Sequence, residues 1–287
     1  MMHGCLLKIR EIIDDLTPSE AKAAGYILKY PEQSVGLSIV ELANLSGASK
    51  AAIIRFCKTL GFDGYREFAI KMASDIAVSM ENDQESGYTD IQVGDDLSTL
   101  IRNVSHNNKK SIDDTLEVLD EAELEKAIEV LKTAGRIDFY GVGASGIIAQ
   151  DAQQKFMRIN RYATAYSDTH LQAAAATLLT PSDVAVFISY SGETRDIVEA
   201  LGYAKASGAV TIAVTRFGSS TLSDKADIRL HISSPETSMR SAASSSRIAQ
   251  LNIIDILFTG IATQDYAGIK SCLDKTRKIR ALKRFNR

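Results

Sequence analysis

Cysteine is scarce in this chain, and its positions form no recognisable pattern. The 287 residues contain 3 cysteines, Cys5, Cys57 and Cys272, which lie far apart and form no CxxC pair. Disulfide scaffolds and cysteine-based metal centres both depend on dense or regularly spaced cysteines. The sequence therefore predicts neither, and the sparse, odd count is typical of a protein that works in a reducing cytosol. We expect no metal and no cofactor.

Long hydrophobic runs are missing too. A helix needs about 18 or more predominantly apolar residues to cross a membrane. The nearest candidate, residues 251–262, is interrupted by Asp255. Residues 1–7 lack the basic start and the long apolar core of a secretory signal. We therefore expect a cytoplasmic protein without a membrane partner.

A strong charge of either sign is the third absence. The formal net charge is −3, so no overall basic field points to nucleic acid. A small module can nevertheless carry a local basic face on an acidic protein. Hydrophobic residues make up 45% of the chain and charged residues 24%, as in ordinary soluble globular proteins. A chain of 287 residues is long enough for two domains.

The sequence patterns divide the chain into three parts. Residues 1–80 are typical of helices, with capping boxes that begin at Thr17 and Ser38. Residues 81–96 are rich in Asp and Glu and have no sustained apolar pattern, which indicates an exposed acidic linker. Residues 97–287 begin with a helical pattern and then alternate short apolar runs with helical segments.

The short apolar runs of the third part predict β-strands. Because helical segments separate them, we expect a parallel sheet that is covered by helices on both faces. A long helix should follow the last strand, over about residues 241–262. The expected fold class is α/β, with an all-α N-terminal domain joined to a five-stranded parallel α/β sandwich. The strand candidates are residues 136–142, 162–166, 184–189, 210–215 and 228–232.

A helix-turn-helix pattern lies near residue 50. Gly47 interrupts a first helix, and a second helix is predicted from about Ser49 to a glycine cap at Gly61. The apolar residues of the second helix recur at the i, i+3, i+4, i+7 spacing of one buried face. These residues are Ile53, Phe56, Cys57 and Leu60.

The opposite face of the second helix is basic. In helix-turn-helix proteins such a helix enters the major groove, and its first residues contact base edges. Basic residues also outnumber acidic ones over residues 44–71, and their phosphate contacts would give a salt-dependent affinity for double-stranded DNA. The pattern also fits an ordinary helical bundle with a solvated basic face. The candidate DNA-binding residues are Ser49, Lys50, Ala51, Arg55 and Lys58.

Hydroxyl residues are concentrated in the stretch SYSGET, residues 189–194. It follows the strand-like run 184–188 and opens a helix-like run from Thr194. Free N–H groups and the positive dipole end of a helix start make an anion-binding site. Neutral hydroxyls without lysine suit a phosphate oxygen, although simple helix capping is the alternative. The candidate ligand residues here are Ser189, Ser191, Gly192 and Thr194.

A second strand-to-helix turn occupies residues 141–146. It contributes Gly143 and Ser145 as candidate ligand residues. Ligands of open parallel sheets bind at the carboxyl ends of the strands, so one ligand could touch both turns. The turn also satisfies GxGxxG, with Asp168 further along. A dinucleotide site is therefore a competing interpretation, but it leaves the SYSGET hydroxyls unexplained.

Several further residues are candidates of lower rank. Glu236 could accept hydrogen bonds from sugar hydroxyls, and Arg240 could bind a phosphate or carboxylate. The two could equally form a solvated pair four residues apart on a helix. His170 could line the pocket or be structural. The basic residues of the segment 275–287 could touch DNA phosphates or form a solvated, partly frayed helix.

At these motifs the chain resembles the RpiR family of bacterial transcriptional regulators, which join a helix-turn-helix to a sugar isomerase (SIS) domain. The resemblance covers nearly the whole chain except the acidic linker. Its specificity comes from the order in which the motifs occur. They are residues 16–20, 41–43, 53–62, 141–145, 189–194 and 246–251.

The resemblance implies a phosphosugar effector and a homodimer or homotetramer. The phosphate-binding hydroxyls of the family would be Ser145, Ser189, Ser191 and Thr194. The family often has threonine where this chain has Ala52, which implies the loss of a hydroxyl contact to DNA.

Only the family resemblance indicates which phosphosugar is the effector. Residues 168–172 and 188–192 are similar to the branch that responds to N-acetylmuramate 6-phosphate, and other phosphorylated amino or pentose sugars stay open. The rival class is a sugar-phosphate isomerase, which needs a base over the sugar. Glu236 is the one carboxylate that the motifs place there, and an isomerase has no use for a helix-turn-helix. We therefore predict binding without turnover, and no catalytic residue.

Overall fold

A computed structural model describes residues 4–81, 94–234, 244–264 and 266–282. The chain forms two compact units. The first comprises Met1–Val118, Phe217–Ser219 and Ser233–Ser238, and the second comprises Leu119–Arg216, Ser220–Ile232 and Met239–Arg287. The division into residues 1–80, 81–96 and 97–287 stays a prediction.

The first unit is helical in its described part, and its local signals are the expected ones. Thr17 and Glu20 form a capping box with Pro18 in the first turn, and Ser38 and Glu41 form another. Both predicted helix starts are therefore confirmed. The helices are α1 Cys5–Ile12, α2 Pro18–Lys29, α3 Pro31–Ser34, α4 Ile39–Ser46, α5 Lys50–Thr59, α6 Tyr65–Glu81 and α7 Leu97–Val118, with a 3-10 turn at Ile13–Asp15.

The core of the first unit contains the predicted apolar face of α5. Ile53, Phe56 and Cys57 are fully buried, and Phe56 packs edge-on against Phe68, with ring centroids 5.7 Å apart. Burial raises the pKa of the Cys57 thiol to about 12. The thiol is therefore protonated at neutral pH and packs as a small apolar group.

The second unit is an α/β sandwich. Its five-stranded sheet is parallel, in the order β2-β1-β3-β4-β5. The strands are β1 Ile137–Tyr140, β2 Ala163–Ala165, β3 Val184–Ile188, β4 Val210–Arg216 and β5 Ile228–Ile232. The helices are α8 Glu121–Thr133, α9 Ala144–Arg158, α10 Thr169–Thr177, α11 Arg195–Ala206, α12 Thr221–Lys225, α13 Ser244–Gln264 and α14 Tyr266–Leu282. The predicted α/β fold class is confirmed.

Helices cover both faces of this sheet, which explains its short, wholly apolar strands. Successive strand residues point to opposite faces. Val186 packs in the core with residues of α8, α9 and α13, whereas its neighbour Phe187 packs in a second core with residues of α10, α11 and α12. Every residue of β3 is therefore buried.

The chain reverses its direction of travel across the sheet at β1. It passes from β1 to β2 on one side and then to β3 on the other side of β1. Such a switch point leaves a crevice outside the carboxyl ends of the two strands. Because the register pairs Tyr140 with Phe187, the turns that follow β1 and β3 leave the sheet within one residue of the same level.

No helix in the described part of the chain is both long and apolar enough to cross a membrane.

Candidate functional site

The turn after β3 contains the predicted hydroxyl cluster, residues 189–194, called here the hydroxyl turn. Ser189 is buried, and its Oγ lies 3.2 Å from Oγ1 of Thr194. Ser191 is exposed, and its Oγ accepts a hydrogen bond of 3.2 Å from the Glu193 N–H. Gly192 has a φ of +69°, which L side chains rarely adopt.

Helix capping does not account for all of these hydroxyls. Thr194 is the N-cap residue of α11, yet among the described residues its side chain makes no capping hydrogen bond. Its hydroxyl instead lies within hydrogen-bond distance of Ser189, which directly follows β3. Ser191, by contrast, has a local role because it accepts from the backbone of the same turn. The Ser189–Thr194 pair is therefore the part of the cluster that capping leaves unexplained.

The turn after β1, residues 141–146, is called here the glycine turn. Gly143 is the N-cap residue of α9 with a φ of +59°. A Cβ at Gly141 would lie 2.5 Å from the Ser145 carbonyl oxygen, so the chain can close this tightly only with glycine. Ser145 Oγ accepts a hydrogen bond of 3.3 Å from Nε2 of Gln250, a buried residue of α13.

The sheet brings the two turns together at one edge. The hydroxyl turn and the glycine turn follow neighbouring parallel strands, and the last residue of β1, Tyr140, pairs with Phe187, the next-to-last residue of β3. The sequence-predicted residues Gly143, Ser145, Ser189, Ser191, Gly192 and Thr194 therefore lie at adjacent strand ends. Glu236 and Arg240 lie outside the described residues.

Gln172 was not among the predicted site residues, although the structure places it beside the glycine turn. It is 1% exposed, and its Nε2 donates to the Gly141 carbonyl at 2.9 Å and to the Tyr166 carbonyl at 2.6 Å. It thus joins the ends of β1 and β2. Its Oε1 has no hydrogen-bond partner among the described residues. The sequence did contain a signal for Gln172, because it is the one polar residue on the buried face of α10, beside Ala175 and Ala176.

Asp168 and His170 belong to the start of α10. Asp168 is the N-cap residue of that helix and accepts from the Leu171 N–H at 2.9 Å. This capping role accounts for the acidic residue without a nucleotide ribose. His170 is exposed on the same helix.

The first unit contains the predicted helix-turn-helix as α4 and α5. Gly47 ends α4 with a φ of +70°, and Ser49 caps α5 by accepting from the Ala52 N–H at 3.1 Å. The five predicted DNA-binding residues are all exposed in the first unit. They are Ser49, Lys50, Ala51, Arg55 and Lys58.

One expectation about this helix was wrong. Ala52 is fully buried in the first unit, so a threonine at this position would face the core rather than DNA. The residue lies four positions before Phe56, which is one helical turn along the same apolar face.

Arg55 is exposed but paired. Its Nε lies 3.3 Å from Oε1 of Glu20, a buried residue of α2. Glu20 also accepts from the Thr17 N–H at 3.1 Å and from Thr17 Oγ1 at 2.6 Å. Burial opposes the charged form of Glu20, but the hydrogen bonds from Thr17 and the charge of Arg55 outweigh it and lower the pKa.

Comparison with known proteins agrees with this architecture. A helix-turn-helix domain of the rpiR family matches residues 3–79, and a SIS domain matches residues 130–260. An uncharacterized HTH-type transcriptional regulator of Caldanaerobacter subterraneus subsp. tengcongensis is 46% identical over 285 residues, which are 99% of this chain and 100% of that protein. The chain belongs to the RpiR family of HTH-type transcriptional regulators.

Other relatives of this RpiR-family regulator are similar over their full length. The uncharacterized HTH-type transcriptional regulator YbbH of Bacillus subtilis is 41% identical over 278 residues, which are 96% of this chain and 97% of that protein. The Vibrio vulnificus NanR protein, solved in complex with ManNAc-6P, is 24% identical and matches with a TM-score of 0.62, covering 99% of this chain and 100% of NanR. The likeness to NanR shows the fold.

Proposed function

We propose that this RpiR-family regulator binds a double-stranded DNA operator through α4 and α5, and that a phosphosugar bound in the SIS domain changes its operator affinity. The observation that carries the effector site is the placement of Ser189, Ser191 and Thr194 beside the glycine turn, at the switch point of the sheet. Hydroxyls and backbone N–H groups there can donate to phosphate oxygens.

The nature of the sugar is a finer proposal. N-acetylmuramate 6-phosphate is our first candidate, because residues 168–172 and 188–192 are similar to the branch of the family that responds to it. The solved complex of NanR contains ManNAc-6P, which makes phosphorylated amino sugars the class to test first. Glu236 and Arg240 are proposed to contact the sugar.

The DNA-binding proposal depends on the exposed face of α5. Ser49, Lys50 and Ala51 occupy its start, where residues of a recognition helix meet base edges. Arg55 and Lys58 are proposed to contact phosphates. A homodimer or homotetramer would present two such helices to half-sites spaced by about 34–36 Å.

We propose that the protein works in the cytoplasm and binds its phosphosugar without converting it chemically. The relatives are named as transcriptional regulators, and a regulator needs only unequal effector affinity in its two DNA-binding states. Incubation of the purified protein with phosphosugars should give no isomerised product. Conversion that disappears in Glu236→Gln would instead establish an isomerase.

The central experiment is a mobility-shift titration on DNA upstream of the gene, with a panel of phosphosugars. At least one phosphosugar should change the shift, and Ser189→Ala combined with Ser191→Ala should abolish the response while preserving the shift itself. Ser182→Ala is the matched control, because Ser182 is exposed and precedes the amino end of β3. If no phosphosugar changes the shift of the wild-type protein, the sensing function is wrong.

A further inference from the structure

The hydroxyl turn contains a carboxylate at an unexpected place. Glu193 lies between Gly192 and Thr194, two of the residues proposed to hold a phosphoryl group. Two negative charges repel each other strongly where solvent screening is incomplete. A freely moving Glu193 side chain would therefore oppose the binding of a phosphosugar in this turn.

Thr221 holds both oxygens of this carboxylate. Oε1 of Glu193 accepts from the Thr221 N–H at 2.7 Å, and Oε2 accepts from Thr221 Oγ1, also at 2.7 Å. Thr221 is the first residue of α12, and 28 positions separate it from Glu193. The carboxylate is thus directed toward the start of α12.

The adjoining residues fix the same junction. The Leu222 N–H donates to the Gly192 carbonyl at 3.0 Å. A Cβ at Gly192 would overlap Ser220 Oγ, so the hydroxyl turn approaches the start of α12 as closely as glycine permits. The junction therefore has a defined geometry in which Glu193 meets its two donors.

The charge on Glu193 persists at neutral pH. Hydrogen bonds from the Thr221 side chain and backbone lower the pKa of Glu193, and the charges of Arg216 and Lys225 act in the same direction. These two cations attract the carboxylate toward β4 and α12. Glu193 therefore stays negatively charged, and protonation does not remove its repulsion of a phosphoryl group.

We propose that Thr221 is a positioning residue that keeps the Glu193 carboxylate turned away from the effector's phosphoryl group, so that the Thr221–Glu193 pair sets the affinity for the doubly charged phosphate. The proposal rests on the proposed phosphosugar function of the hydroxyl turn. Glu193 has a different role from its neighbours. Ser189, Ser191 and Thr194 donate hydrogen bonds to the ligand, whereas the Glu193 carboxylate has to point away from it.

A graded set of variants of the full chain tests the pair. Thr221→Ser keeps both donors, and Thr221→Val loses the hydroxyl. Thr221→Pro loses the N–H as well. Proline is favoured at the first position of a helix, and the preceding Ser220 has the extended backbone, with φ −150° and ψ 159°, that proline tolerates.

Calorimetric titration with inorganic phosphate and with N-acetylmuramate 6-phosphate, at pH 5.5 and pH 8, provides the readout. We expect Thr221→Ser to bind both probes with the affinity of the wild-type protein. Thr221→Pro should weaken binding about tenfold at pH 8, because this is the repulsion expected between two unit charges at close range in a partly solvated site. The loss should be smaller at pH 5.5, because the second pKa of a phosphate ester is about 6. Thr221→Val should lie between the two.

The decisive variant is Thr221→Pro combined with Glu193→Gln. If the loss in Thr221→Pro comes from the released charge, the added Glu193→Gln substitution restores binding to within about twofold of the wild-type protein. If the double variant binds as poorly as Thr221→Pro, or if Thr221→Pro binds like the wild-type protein, the positioning role is wrong while the phosphosugar function stands. If the wild-type protein binds neither these probes nor any phosphosugar of the mobility-shift panel, both proposals fall.

Discussion

Arg55 Nε, on the exposed face of α5, lies 3.3 Å from Oε1 of Glu20, which is buried in α2. One carboxylate therefore does two things: it completes the capping box with Thr17, and it pairs with a predicted DNA-binding side chain. The pair links the start of α2 to the middle of the proposed recognition helix. We expect Glu20 to contribute mainly to folding stability, because it is buried. We expect Arg55 to contribute mainly to DNA binding, because its side chain is 58% exposed.

Glu20→Ala should lower the free energy of unfolding by about 1–2 kcal/mol, because a capping residue and its hydrogen bonds are lost. Urea denaturation measures this change. Glu32→Ala is the control, since Glu32 is an exposed carboxylate in the first turn of α3. Equal stability of the two variants would contradict the structural role of Glu20.

The same carboxylate predicts a pH dependence. The pKa of Glu20 is lower in the folded protein than its ordinary value, so its contribution to stability is fully present above about pH 4.3, the unfolded value. The contribution is lost as the pH falls through the folded pKa. Glu20→Gln should therefore flatten the acid limb of a plot of stability against pH. An unchanged acid limb would argue against the lowered pKa.

Arg55→Ala should weaken operator binding and reduce the slope of log affinity against log salt by about 1, because one phosphate contact is lost. Fluorescence anisotropy over a salt series gives both quantities. Phosphosugar binding should not change. Lys126→Ala removes an exposed cation from α8 and should leave the salt slope as it is. If the Arg55→Ala slope equals that of the control, Arg55 makes no phosphate contact.

Arg136 protects a carboxylate inside the sheet. Asp138 of β1 is fully buried and accepts from Arg136 at 2.7 Å and 2.6 Å, from Tyr140 at 3.1 Å and from Thr164. Arg136→Ala would leave a buried charge without its cation and should cost about 3–5 kcal/mol of stability. Urea denaturation with Arg158→Ala, an exposed arginine of α9, as control checks this. A loss of stability smaller than that of the control would show that the hydroxyls of Tyr140 and Thr164 are enough to stabilise the Asp138 carboxylate.

Gln172→Glu should destabilise the second unit and disturb the glycine turn. The substitution replaces the Nε2 donor with an acceptor, so the Gly141 and Tyr166 carbonyls lose a bond in a buried site, at a cost of about 1–3 kcal/mol for each unpaired group. Gln154→Glu, on the exposed face of α9, is the matched control. Thermal unfolding together with hydrogen exchange of residues 141–146 measures both effects. Unchanged exchange in that turn would show that Gln172 does not hold it.

The sequence by itself determined the elements that depend on neighbours in the chain. The capping boxes at Thr17 and Ser38, the apolar face of α5 and the positions of the strands all follow from preferences that act over a turn of helix or a few residues of strand. The same periodicity also places Ala52, four residues before Phe56, on the buried face. The expectation that Ala52 replaces a DNA-contacting hydroxyl came from family resemblance, and it was wrong because this position faces the core.

Only the tertiary structure decided which distant residues meet. The contacts of Gln172 with Gly141, of Glu193 with Thr221 and of Asp138 with Thr164 join residues 26 to 31 positions apart. No local pattern encodes them, because they depend on the order in which the strands lie in the sheet and on the register between them. A hydrogen bond needs its two atoms about 3 Å apart, and distances of that precision are set when the helices pack against the sheet.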